Sequence, residues 1–198
     1  MRACGGIAMR NTWRISGAGV LVVALAWLSY QVKREVPIRP LEALDVGDAA
    51  PGFTLRDLKG GEVSLHHYRG QVVVLNFWTT SCPQRRLGLP LLDGFQREEG
   101  ESRVVVLSIN FRESAEQVRD SLKDGEHAFR VLLDTDGLVA EAYGVKYVPT
   151  VVMVNQKGKI AWVGQGYLPD LPHVLARQLK ALGATRHEEE RPSAGDLD

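Results

Sequence analysis

The chain has 198 residues with 24 basic and 24 acidic side chains, so its formal net charge is zero. That length admits one ordinary domain plus extensions, and no block of basic residues points to nucleic acid as a partner. Its two cysteines exclude a disulfide framework, and no Cys/His cluster has zinc-site spacing, so neither a metal nor a cofactor is expected.

Residues 1–14 form a short basic lead with Arg2, Arg10 and Arg14 and no acid, which leaves 21 basic against 24 acidic residues in the rest of the chain. Residues 15–32 follow without a charge. As a helix this run is about 27 Å long, close to the roughly 30 Å hydrocarbon core of a bilayer. Trp13, Trp27 and Tyr30 lie toward its ends, as interface aromatics do. It reads as a transmembrane anchor. A cleaved signal peptide is the rival, but no small-residue cleavage site follows the run. The arginines before it, set against Lys33, Arg34 and Arg39 after it, weakly favour a cytoplasmic N-terminus. That orientation makes a single-pass protein of the cell membrane with its domain on the extracytoplasmic side, and it separates Cys4 from Cys82 across the bilayer.

Residues 33–44 read as a tether with Pro37 and Pro40, and residues 45–182 as the folded domain. Residues 48–65 predict two short strands around the Lys59-Gly60-Gly61 turn, and residues 66–69 a helical turn. Val72 to Trp78 is an unbroken apolar run apart from Asn76, as expected for a central strand buried on both faces. A small polar turn leads to Cys82, and a long helix is predicted over 83–99 with Pro83 in its first turn. This layout sets Cys82 at a helix N-terminus, where orphan N–H groups and the macrodipole favour a thiolate. A second buried strand is predicted over 103–110, and a helix over 114–124 opened by a Ser114/Gln117 capping box. A short strand (129–133), a short helix (138–143), a hairpin through Lys157-Gly158 and a last helix (171–182) complete the domain. Residues 183–198 are polar and charged, with Glu188-Glu189-Glu190, and read as a disordered tail.

The order βαβ, then β-hairpin and helix, predicts an α/β domain with a mixed central sheet flanked by helices. Phe77-Trp78-x-x-x-Cys82-Pro83, Leu133-Asp134-Thr135-Asp136-Gly137, Tyr143-Gly144-Val145, Val148-Pro149-Thr150 and residues 155–160 occur in that order. Together they resemble the thioredoxin superfamily, in particular the membrane-anchored TlpA/ResA-type thiol-disulfide oxidoreductases. The resemblance covers roughly residues 45–182. It implies a thioredoxin-like fold, a cis Pro149 beside Cys82, and a substrate-facing set of Trp78, Pro83, Val148 and Pro149, with the Val148 backbone presented to an extended peptide and Trp78 on the rim. Core packing stays open for Trp78, and a role in shaping the turn alone for Pro149.

Three departures stand out. The family's second cysteine, three residues after the first, is Arg85. The aromatic before the first cysteine is Ser81. The buried carboxylate that thioredoxin carries in its central strand is Asn76, which removes a proton relay through that position.

One thiol still reacts. A thiolate attacks a disulfide and forms a mixed disulfide, or it is oxidised by a peroxide to a sulfenic acid. Release then requires a second thiol from outside, on a protein or small-molecule partner. Arg85 follows Cys82 by about one helical turn, and a guanidinium brought near the sulfur favours the thiolate, so Cys82 and Arg85 form the expected catalytic pair. Two other readings stay open. The domain can be a redox-inactive binding or accessory module, with Arg85 a solvated surface charge. It can also be a one-cysteine peroxidase, since Thr79 lies three residues before Cys82, although Trp78 stands where a peroxiredoxin has proline. The five histidines are scattered and read as surface residues, and Asp134 and Asp136 read as turn caps.

Overall fold

The computed structural model describes residues 45–122 and 127–183. The basic lead with Cys4, the expected anchor at 15–32, the tether, and residues 184–198 of the tail lie outside the described residues. Among the described residues no helix is long and apolar enough to cross a membrane.

Among the described residues seven strands build one mixed sheet: β1 Thr54–Asp57, β2 Glu62–Ser64, β3 Val72–Trp78, β4 Val104–Phe111, β5 Arg130–Asp134, β6 Thr150–Val154 and β7 Ile160–Gln165. Their spatial order is β2-β1-β5-β4-β3-β6-β7. β3 pairs in parallel with β4, which pairs in parallel with β5. On its other side β3 pairs antiparallel with β6, and β6 with β7. The β1–β2 hairpin joins antiparallel to β5. Among the described residues four α-helices flank the sheet: α1 Arg85–Glu99, α2 Ala115–Ser121, α3 Leu138–Ala142 and α4 Leu171–Ala181.

Every residue of β3 is buried, because successive side chains point to opposite faces and both faces are covered. Val72, Val74 and Trp78 pack with Leu89, Leu92 and Phe95 of α1 and Leu171, Leu175 and Leu179 of α4. Val73, Leu75 and Phe77 pack on the opposite face with Phe53, Ala140 of α3 and Tyr143. Asn76 donates from Nδ2 to Ser108 Oγ (3.1 Å), so the polar interruption of β3 is satisfied by its neighbour strand. Buried Gln96 stitches α1 to β4, donating to Val104 O (3.0 Å) and accepting from Val106 N–H (2.6 Å).

The expected thioredoxin-like α/β order is present, with shifts at element ends. The helix expected from Pro83 starts at Arg85 with Gln84 as its N-cap. The reason is local: Arg85 N–H donates to Cys82 O (3.2 Å) and Arg86 N–H to Pro83 O (3.3 Å), so the chain makes tight turns before the α pattern sets in. The predicted capping box forms, with Gln117 N–H on Ser114 Oγ (3.2 Å) and Ser114 N–H on Gln117 Oε1 (2.9 Å). Its helix ends at Ser121, and residues 123–124 of the predicted span lie outside the described residues. The strand expected over 129–133 runs one residue later, over Arg130–Asp134.

Candidate active site

Parallel strands bring their C-terminal loops to one edge, so the loops after β3 and β4 meet. Residues 79–84 after β3 carry the one cysteine of the described residues, Cys82, as a free thiol. It is 6% exposed, while Ser81, Pro83 and Gln84 around it are exposed. Cys82 N–H donates to Thr79 O (3.3 Å), which closes a turn ahead of α1. The Thr79 and Ser81 hydroxyls bond each other at 3.1 Å.

Two acceptors face the sulfur. Sγ donates to Gln84 Oε1 at 3.1 Å and lies 3.7 Å from Val148 O. The Val148–Pro149 peptide is cis, and both residues are half-buried. Pro149 O accepts from Gly166 N–H (2.8 Å), which ties this turn to the end of β7. Tyr147, just before it, is 68% exposed.

A polar clamp holds the loop in front of the thiol. The Glu113 carboxylate accepts from Thr80 N–H and from Thr80 Oγ1, each at 2.6 Å, and from Asn110 Nδ2 at 2.6 Å. From the other side Arg85 Nε donates to Thr80 O (2.9 Å), and Arg85 Nη1 donates to Ser121 O at the end of α2 (3.2 Å). Thr80 is therefore held at its N–H, its hydroxyl and its carbonyl.

The sequence profile of the AhpC/TSA family matches residues 46–163, more than half of the chain. The chain belongs to the AhpC/TSA family. Within it the chain is similar to the thiol-disulfide oxidoreductase ResA of Bacillus subtilis, at 31% identity over 77% of this chain and 84% of that protein. It is also similar to the thioredoxin-like protein YneN of the same organism, at 34% identity over 72% of this chain and 85% of that protein. Among solved structures, one from Chlorobium tepidum assigned as a thiol:disulfide interchange protein DsbE superposes with a TM-score of 0.66 at 30% identity, covering 71% of this chain and 99% of that one. The exposed lipoprotein thioredoxin Etrx1 of Streptococcus pneumoniae gives 0.60 at 26% identity, covering 66% and 99%. The AhpC/TSA-family chain is thus a ResA-like member of the thioredoxin family of thiol-disulfide oxidoreductases.

The expected site residues divide. Cys82, Pro83, Val148 and Pro149 come together around the sulfur. Trp78 does not reach the rim: it is 1% exposed and packs in the core on the α1 and α4 face of β3. The parity of β3 decides this, because residue 78 points the same way as Val72 and Val74. Its Nε1 has no acceptor. Arg85 is neither a solvated surface charge nor a hydrogen-bond partner of Sγ, since its bonds go to Thr80 and Ser121. Two residues of the site were missed from sequence. Glu113 carried a weak signal, a carboxylate three residues after Asn110 at the end of the strand beside β3. Gln84 carried none beyond its place two residues after the thiol. Among the described residues no cluster of His, Cys, Asp and Glu is arranged to hold a metal.

Proposed function

We propose that this protein is a membrane-anchored, extracytoplasmic oxidoreductase that works through Cys82 alone. The observation that supports this reading is the seat of the sulfur beside Val148 and Pro149, in a chain whose position 85 carries no thiol. Cys82 loses its proton to solvent and attacks a partner disulfide. The partner's S–S bond breaks, one of its sulfurs leaves as a thiolate, and the other joins Cys82. Arg85 cannot attack this mixed disulfide, so a second thiol, on a protein or a small molecule, must displace Cys82. Residues 15–32 supply the anchor in this reading.

The test is mass spectrometry of the purified chain after incubation with 2-hydroxyethyl disulfide, and of acid-quenched, alkylated membranes. Adducts on Cys82 that disappear in Cys82→Ser support the proposal, and an unmodified Cys82 in both samples refutes it. The low exposure of the thiol favours a second reading, a redox-inactive binding module. Full biological activity in Cys82→Ser selects that module.

A further inference from the structure

We infer that Gln84 is a catalytic residue of this site, its carboxamide accepting from Sγ in the thiol and, turned by half a revolution, donating to the sulfur when it carries negative charge. The inference rests on the thiol chemistry proposed above and names the group that serves it.

Gln84 has no structural task that accounts for its placement. It is the N-cap of α1, yet its side chain makes no capping bond. It is exposed, and its side-chain bond is the 3.1 Å contact with Sγ. The other polar side chains around the loop are engaged elsewhere. Asn76 is bonded to Ser108, Glu113 to Thr80 and Asn110, and Arg85 to Thr80 and Ser121. Among the described residues Gln84 is the one side chain that hydrogen-bonds the sulfur.

A carboxamide suits a monothiol that passes through two states. Its oxygen is an acceptor and its nitrogen carries two donors, exchanged by rotation about one bond. The resting thiol needs an acceptor, and Oε1 supplies it. When Cys82 ionises, its proton goes to solvent, because an amide does not take it. The anion then needs a donor, and Nε2–H supplies it. The same N–H faces the sulfur when an external thiol attacks the mixed disulfide: the new S–S bond forms between the external thiol and the partner, the Cys82–partner bond breaks, and Cys82 departs as a thiolate. Val148 O, the other group at the sulfur, is an acceptor only and cannot perform this exchange.

Iodoacetamide alkylation of the full chain from pH 6 to 10.5 tests this in wild type, Gln84→Glu and Gln84→Met. Glutamate offers acceptors and a negative charge, so Gln84→Glu should alkylate about five- to tenfold more slowly at pH 7, with the gap closing below about twofold at the alkaline end. Gln84→Met keeps the bulk without donors, and should slow both alkylation at pH 7 and release of a Cys82 mixed disulfide by external thiol about threefold. Rates within about 1.5-fold of wild type in both variants would overturn the assignment. So would rates that rise at every pH in both, which would make Gln84 a cover. Alkylation needs no disulfide. If the alkylation rates of both variants change as expected but wild type forms no mixed disulfide with 2-hydroxyethyl disulfide, the function proposal alone falls.

Discussion

Glu113 grips Thr80 twice, accepting from its backbone N–H and from its hydroxyl, both at 2.6 Å. One carboxylate from the loop after β4 thereby holds the chain two residues ahead of Cys82. Removing it leaves two donors of Thr80 and the Asn110 amide without their acceptor in a half-buried place. Glu113→Ala should lower stability by about 1–3 kcal/mol, read from the urea midpoint. Glu113→Gln keeps one acceptor oxygen and should lose less than half as much. Equal stability of all three proteins would show that the clamp adds nothing.

Arg85 holds the same residue from the opposite side, through the Thr80 carbonyl, and ties it to α2 through Ser121. Arg85 N–H donates to Cys82 O, so positions 82 and 85 face each other across one turn. Under oxidising conditions the thiol introduced by Arg85→Cys should therefore form a disulfide with Cys82, and the variant should gain insulin-reductase activity absent from wild type. In the reduced form it should be about 1–3 kcal/mol less stable, since two carbonyls lose their guanidinium donors. Insulin turbidity and urea denaturation in reductant measure the two effects separately. A reduced variant as stable as wild type would rule out the clamp role of Arg85.

Asp93 on α1 supplies a pH dependence remote from the thiol. Burial raises its carboxyl, but the Ala128 N–H and Arg97 outweigh that and leave it below its ordinary value of 3.8. The Ala128 bond is 2.5 Å and the Arg97 bond 2.9 Å. A carboxyl depressed on folding adds stability above its unfolded value, and that stability is lost as pH falls through 3.8 toward the folded value. Asp93→Asn should thus be less stable than wild type by about 1 kcal/mol at pH 7. The two unfolding midpoints should draw together as pH falls below 3.8. A gap that stays constant as pH falls below 3.8 would remove the charge from the explanation.

The fold was legible because its signals are local and strong. The valine run of β3, the Lys59-Gly60-Gly61 turn, the Ser114/Gln117 box and the Lys157-Gly158 hairpin each fix an element by pattern or turn chemistry alone. The site was half legible. Cys82 and Pro149 were visible as motif positions, and the resemblance joined them although they lie 67 positions apart. Arg85 was misjudged because its charge alone points toward the nearest sulfur, whereas a guanidinium with several donors settles where unpaired carbonyls converge, here Thr80 and Ser121. Glu113 stayed hidden because its partner lies 33 residues away and meets it only once β3 and β4 are paired.

Trp78 carries the last expectation, and it separates core from surface. The ring is sealed between β3, α1 and α4, and its Nε1 lacks an acceptor. Trp78→Ala should cost about 3–5 kcal/mol by emptying a large volume from a packed core. Trp78→Phe removes the unpaired N–H along with part of the ring, so the relief of a buried donor offsets some of the lost packing, and the cost should stay near 1–2 kcal/mol. Both costs are read from urea midpoints. Iodoacetamide reactivity of Cys82 per folded molecule should stay within about twofold in the Phe variant. A Trp78 that lined the binding surface would give the reverse: little change in stability, and a loss of partner capture on Cys82.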